Sequence, residues 1–171
     1  MPAKFSLHLL LSLIYLSLAA CETPFTVSVN DQSVYDPDGR LASQVVVDAD
    51  LQGCINLALR QQQLSDVADL TVLSCANAQI AELDNIGQLR GLRFLDVSNN
   101  NISNITPLEE LTQLGGLNLV NNRIIDVSAL LNIPTLATVS LLGNNNIPCE
   151  QLRLLQDRLG ENLTPPTTCK R

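Results

Sequence analysis

The stretch Leu92–Ile102 reads LRFLDVSNNNI, and 22 residues further on, at Leu114–Ile124, the chain reads LGGLNLVNNRI. The same frame extends one row back, to Leu70–Ile80 (LTVLSCANAQI), and one row forward, to Leu136–Ile147 (LATVSLLGNNNI). Leu70, Leu92, Leu114 and Leu136 head the rows; Leu73, Leu95, Leu117 and Val139 follow three later, then Cys75, Val97, Leu119 and Leu141. Asn100, Asn122 and Asn144 stand three beyond, with Ala78 in the first row. After Ile80, Ile102 and Ile124 comes a second apolar run spaced by three: Leu83, Ile86, Leu89; Ile105, Leu108, Leu111; Val127, Leu130, Ile133. Apart from the asparagine column, every one of these frame positions is apolar in a chain of 46% apolar content. A fixed period of this length marks a solenoid, where each coil buries its apolar side only against its neighbours.

Within a row, the part of type Leu-x-x-Leu-x-Leu predicts a short strand with its later leucines turned into the core. Successive strands then stack in parallel about 4.8 Å apart. The asparagine follows where the chain turns inward, and its amide can donate to and accept from backbone groups that no water reaches. An apolar replacement would strand those groups at about 1–3 kcal/mol each. The triplets spaced by three predict tight 3₁₀-like turns on the outer wall, since a period near three keeps one face buried. An aliphatic stack also suits a chain with 3% aromatic residues and no Trp.

Leu92-x-x-Leu95-x-Val97-x-x-Asn100-x-Ile102 and its copies resemble leucine-rich repeats, of the 22-residue class found in bacterial internalins and in the phosphatase-1 regulatory repeat protein. The resemblance covers Leu70 to Ile147, nearly half the chain. It implies an α/β leucine-rich repeat solenoid, a short right-handed horseshoe of about four parallel strands with a capping helix at each end. Two rows depart from the pattern. The first has Cys75 and Ala78 where Leu and Asn are usual, and the last runs one residue long before Ile147. Both are terminal rows, where atypical repeats are expected.

The chain divides accordingly. Residues 1–20 read as a secretory signal: Lys4, an apolar run from Phe5 to Leu18, then Ala19-Ala20. Leu18-Ala19-Ala20-Cys21 resembles the bacterial lipobox, which implies cleavage before Cys21, diacylglycerol on its sulfur and a fatty acyl group such as palmitate on its amine. In 21–47, the lipidated segment, Phe25, Val27 and Val29 alternate, Asn30–Ser33 reads as a turn, and Val34-Tyr35 returns as a second short strand. Asp36-Pro37-Asp38-Gly39 is a further turn without the later carboxylates of a calcium loop. In 48–69, Asp48 caps a helix from about Ala49 to Gln61, whose Leu51, Cys54, Ile55 and Ala58 form one stripe, and a half-repeat follows. Repeats fill 70–147. In 148–171 a second helix from about Glu150 carries Leu152, Leu155 and Leu159 on one face, stops at Gly160, and gives way to an irregular strap through Pro165-Pro166.

With Cys21 lipidated, Cys54, Cys75, Cys149 and Cys169 remain in an oxidising compartment and allow three pairings. Cys54–Cys75 and Cys149–Cys169 each close a loop of about 20 residues at one end of the array, a stabilisation of roughly 3 kcal/mol apiece. That placement selects this pairing.

Removing the signal leaves nine basic against 17 acidic residues, a net charge of −8, and removes His8, the sole histidine. Phosphate backbones would be repelled, so nucleic acid is excluded as a partner. Without histidine, free thiol, Gly-rich phosphate loop, Gly-x-Ser-x-Gly elbow or close carboxylate pair, the sequence argues against an enzyme and implies no small-molecule substrate, metal or other cofactor. Asn101-Ile-Ser103, Asn104-Ile-Thr106 and Asn162-Leu-Thr164 match glycosylation acceptors, but Asn-rich repeats generate that motif freely.

What remains is surface. The resemblance implies that strand residues between the buried ones line a concave face used for protein ligands. By position these form three columns: Val72, Phe94, Gly116 and Thr138; Ser74, Asp96, Asn118 and Ser140; Ala76, Ser98, Val120 and Leu142. The candidates for partner contact are Val72, Phe94, Asp96, Asn118, Val120, Ser140 and Leu142. Four strands span only about 15–20 Å, a small platform. The expected function is noncatalytic binding of a protein partner by a lipoprotein held in the bilayer through Cys21. Its expected place is the bacterial outer membrane, because Glu22 is not the Asp that retains lipoproteins at the inner membrane in enteric-type sorting. The rival readings are an envelope structural protein without a specific partner and a surface adhesin contacting host molecules.

Overall fold

A computed structural model describes residues Val27–Val29, Gln32–Tyr35 and 45–169. The signal and lipobox readings at 1–21 and the turn at 36–39 lie outside those residues. Strands β1 (Val27–Val29) and β2 (Gln32–Tyr35) pair antiparallel, a short hairpin ahead of the main body.

Helix α1 (Ala49–Gln62) opens the solenoid. Asp48 Oδ1 accepts from the amides of Asp50 and Leu51, satisfying two of the donors that every helix start leaves open. The stripe Leu51, Ile55, Ala58 and Leu59 is buried. Four three-residue strands follow at the repeat period: β3 (Val72–Ser74), β4 (Phe94–Asp96), β5 (Gly116–Asn118) and β6 (Thr138–Ser140). Their pairing is parallel and in register, Leu73 against Leu95, Leu95 against Leu117, Leu117 against Val139. Each coil returns along the outer wall through a 3₁₀ turn, at Ile86–Gln88, Thr106–Glu110 and Ser128–Asn132. Helix α2 (Cys149–Leu159) closes the array with Leu152, Leu155 and Leu159 inward.

The sheet has five strands rather than the expected four. Leu163–Thr164, read from the sequence as part of an irregular strap, forms β7 and pairs parallel with β6. Leu141 N–H donates to Thr164 O at 2.8 Å, continuing the series Cys75 to Asp96, Val97 to Asn118 and Leu119 to Ser140. Both sheet edges are blunted. Gln62 Nε2 on α1 donates to Val72 O at 3.1 Å along β3, while β7 is two residues long and runs into Pro165-Pro166, which have no N–H to offer.

The asparagine ladder explains one departure of the first row. Asn100 Oδ1 accepts from the amides of Ala78 and Ile80, one coil earlier, and its Nδ2 donates to Cys75 O and Val97 O at 2.9 Å. Asn122 repeats this with Ile102 N, Val97 O and Leu119 O, and Asn144 with Ile124 N, Leu119 O and Leu141 O. Each side chain therefore ties its own coil to the preceding one. No repeat precedes the first, so Ala78 suffices there. Cys75 stands for leucine because it is bonded to Cys54 on α1 (Cα separation 5.8 Å), and Cys149 is bonded to Cys169 at the other end (5.6 Å). Among the described residues, no buried side-chain N or O lacks a hydrogen-bond partner.

Candidate functional site

The strand face is assembled by the pleat. Leu73, Leu95, Leu117 and Val139 turn into the core, so the residues on either side of each must turn away from it. In the first column Val72 and Phe94 are 48% and 40% exposed, and Thr138 is exposed as well. Gly116 is not. The Phe94 ring lies over it, so closely that a Cβ there would come within 2.7 Å of Phe94 Cδ2 and 3.4 Å of Thr138 Cγ2. An aromatic ring covering a strand glycine shields backbone that would otherwise be bare. Phe94 therefore belongs to the packing as well as to the face.

The middle column is polar throughout. Ser74 is exposed, while Asp96, Asn118 and Ser140 are half-buried. Asp96 Oδ1 accepts from Ser98 N at 2.9 Å and Asn118 Oδ1 accepts from Val120 N at 3.2 Å, so each is fixed to its own turn by one oxygen. Thr164 on β7 stands beside Ser140 and lengthens this column by one rung. In the third column Leu142 is 38% exposed and Val120 half-buried. Ser98 departs from expectation, for it is buried and adds nothing to the face.

One column passed unread in the sequence although its signal was present. Asn77, Asn99 and Asn121 take left-handed backbone conformations (φ 60°, 56° and 54°), and Gly143 takes φ 84° at the same place in its row. Only Asn and Gly occupy that column, the two residues that adopt this conformation most readily. Asn121 Nδ2 donates to Asn99 Oδ1 at 2.8 Å, forming an exposed amide rung along the rim of the face.

A recess of about 480 Å³ lies elsewhere, between α2 and the returning strap, lined by Cys149, Arg153, Gln156 and Pro165 and open to solvent. The strand face is a shallow platform instead. Among the described residues, no group of three or more His, Cys, Asp or Glu side chains is placed to hold a metal ion. Asp126 has its carboxyl held below the ordinary aspartate value by the hydroxyl and amide of Ser128, with Gln151 adding to the effect against a small opposing cost of burial. That group sits on the turn before the last outer-wall helix, away from the strands.

Residues 69–110 match the family model for leucine-rich repeats, two copies. An internalin (inlF) of Listeria monocytogenes aligns over 73% of this chain with 28% identity and a TM-score of 0.61, the chain covering 38% of that structure. An internalin C2 (inlC2) of the same organism aligns over 59% with 24% identity and a TM-score of 0.54, the chain covering 47% of it, a likeness of fold alone. The chain thus spans less than half the length of either internalin structure. No curated protein sequence matches it significantly. With strands in register at the repeat period and an asparagine ladder joining the coils, this chain carries leucine-rich repeats in a solenoid similar to that of the internalins.

Proposed function

We propose that this protein is a noncatalytic binding module that takes a protein partner on its strand face, and that it is held at the bacterial outer membrane by lipid on Cys21. The observation that carries the first half is the clustering of apolar exposure. Of seven large apolar residues left exposed among the described residues, Val72, Phe94 and Leu142 lie on this one face, beside a polar column that is already oriented. An apolar patch rimmed by fixed polar groups is the usual composition of a protein contact. The platform is small, so the contact is modest and gains from the many copies that a membrane would concentrate. The second half rests on Leu18-Ala19-Ala20-Cys21 and the apolar run before it.

Site-specific photo-crosslinking in intact cells tests the binding reading. A photoreactive side chain at position 142 or 72 should give a discrete protein adduct, and one at the outer-wall position 88 should not. Equal adducts from both walls, or none, would overturn it. Mass spectrometry of the membrane-extracted protein tests the anchor, with an acylated Cys21 at the mature N-terminus as the expected species. Protease shaving of intact cells then tells a surface-facing protein from one facing the periplasm.

A further inference from the structure

We infer that the strand face, granted the binding reading above, selects an extended protein segment with one lysine or arginine between two apolar side chains. The face has two apolar corners on a diagonal. Val72 and Phe94 stand in the first column on β3 and β4, while Val120 and Leu142 stand in the third column on the rows of β5 and β6. Between them runs the polar column, and within it Asp96 is the sole ionisable side chain of the three columns.

Three observations give that carboxylate a ligand-facing role. Its Oδ1 is taken by Ser98 N, which orients the group, and its other oxygen accepts nothing among the described residues. It is half-buried between Ser74 and Asn118, so a cation seated on it would be partly withdrawn from water, where a charge pair is worth more than at an open surface. The surrounding charge has the same sign. Residues 45–169 carry six arginines and no lysine against thirteen carboxylates, a net of −7, which draws basic partners and repels anionic ones.

The lattice of the sheet sets the spacing. Columns lie about 6.6 Å apart along a strand and rows about 4.8 Å apart, so the two apolar corners are separated by about 16 Å. Asp96 lies about 7 Å from the first corner and about 10 Å from the second by the same measure. An extended chain advances about 3.3 Å per residue. Side chains of an extended chain that face the same way are two positions apart, so the fitting pattern is apolar–x–basic–x–apolar, about 13 Å between its ends, with side-chain reach closing the remainder.

Selection from a library of random twelve-residue peptides displayed on phage, against the detergent-solubilised full chain, tests this. Enriched peptides should share that pattern, lose about tenfold or more in affinity towards Asp96→Asn, and give way to peptides with a central acid when Asp96→Lys is the bait. Asp96→Asn keeps the Oδ1 acceptor for Ser98 N, so an unchanged thermal midpoint is expected and a lowered one is controlled by comparing folded fractions. Peptides that depend on Val72 and Leu142 but lack the basic residue, or ignore Asp96→Asn, overturn the inference and leave the binding face standing. Peptides indifferent to every strand-face substitution, or no enrichment at all, overturn both.

Discussion

The two lids of this solenoid do the same task with opposite chemistry. At the first coil, the N–H donors left open at Ala81 and Glu82 are met by a carboxylate. Asp48 caps α1 with Oδ1 and reaches into the first repeat with Oδ2, which accepts from Ala81 N at 2.9 Å and Glu82 N at 3.2 Å. At the last coil the carbonyls left open at Leu130, Leu131 and Ile133 are met by a guanidinium. Arg158 on α2 donates to Leu130 O and Leu131 O at 2.9 and 2.8 Å and also to Ile133 O. The bonds between coils run both ways, forward as from Cys75 N to Asp96 O and back as from Asn101 N to Ile80 O, so each end of the stack presents both kinds of group and each lid meets a particular set of them.

The disulfides differ in another way. Cys75 is buried in the core and Cys54 half-buried against it, whereas Cys149 is exposed at the start of α2 and Cys169 sits at the end of the strap. Their loops are alike, with sequence separations of 21 and 20, so chain entropy assigns each about 3 kcal/mol. Burial must make the difference. Cys54→Ala with Cys75→Ala should cost about 4 kcal/mol, because core packing is lost along with the crosslink, while Cys149→Ala with Cys169→Ala should cost about 3 kcal/mol. Urea unfolding of the two double variants measures this, and equal losses would remove the distinction. Partial reduction followed by alkylation should label Cys149 and Cys169 first, since an attacking thiolate must reach a sulfur. Labelling of Cys54 first would reverse the order of the lids.

Asp48→Ala removes an acceptor from four amides and should cost about 2 kcal/mol, softened because water reaches most of them. Asp48→Asn should recover part of this, as one oxygen remains for the helix start. Arg158→Ala, at partly wet carbonyls, should cost about 1 kcal/mol. Thermal melts of the three variants order them, and a larger loss for Arg158→Ala would show the second lid to be the stronger clasp. The smallest effect concerns Asp126, joined to the second lid through Gln151, whose Oε1 also accepts from Val127 N. Its folded pKa is depressed, so its contribution is present above the unfolded value, ordinarily 3.8, and is lost as pH falls through the lower folded value. Asp126→Asn should lower the melting temperature slightly near neutrality and flatten its decline below about pH 4.

Much of the architecture was legible because solenoid packing copies sequence period directly into space. A residue 22 positions on is the neighbour in the next strand, as in Val72–Phe94–Gly116–Thr138. What escaped lies off that frame. β7 stands 24 residues after its partner, Leu163 against Val139, and two residues carry no period of their own. The second role of Asp48 spans 33 positions to Ala81, a contact no local pattern announces. Phe94 read as an open contact residue because nothing along the chain says that its ring leans across to Gly116.

The sequence by itself determined the repeat, the buried side of each coil, the need for a lid at each end and the cysteines that fasten them. Burying one aliphatic side at fixed intervals leaves a chain of this period few other ways to fold. Only the tertiary structure decided which face positions stay open, that the strap adds a fifth strand, and that Asp96 holds one oxygen inward with the other left free. Those outcomes depend on which side chain reaches its neighbour first across a 4.8 Å gap between strands, and that is settled by packing in three dimensions.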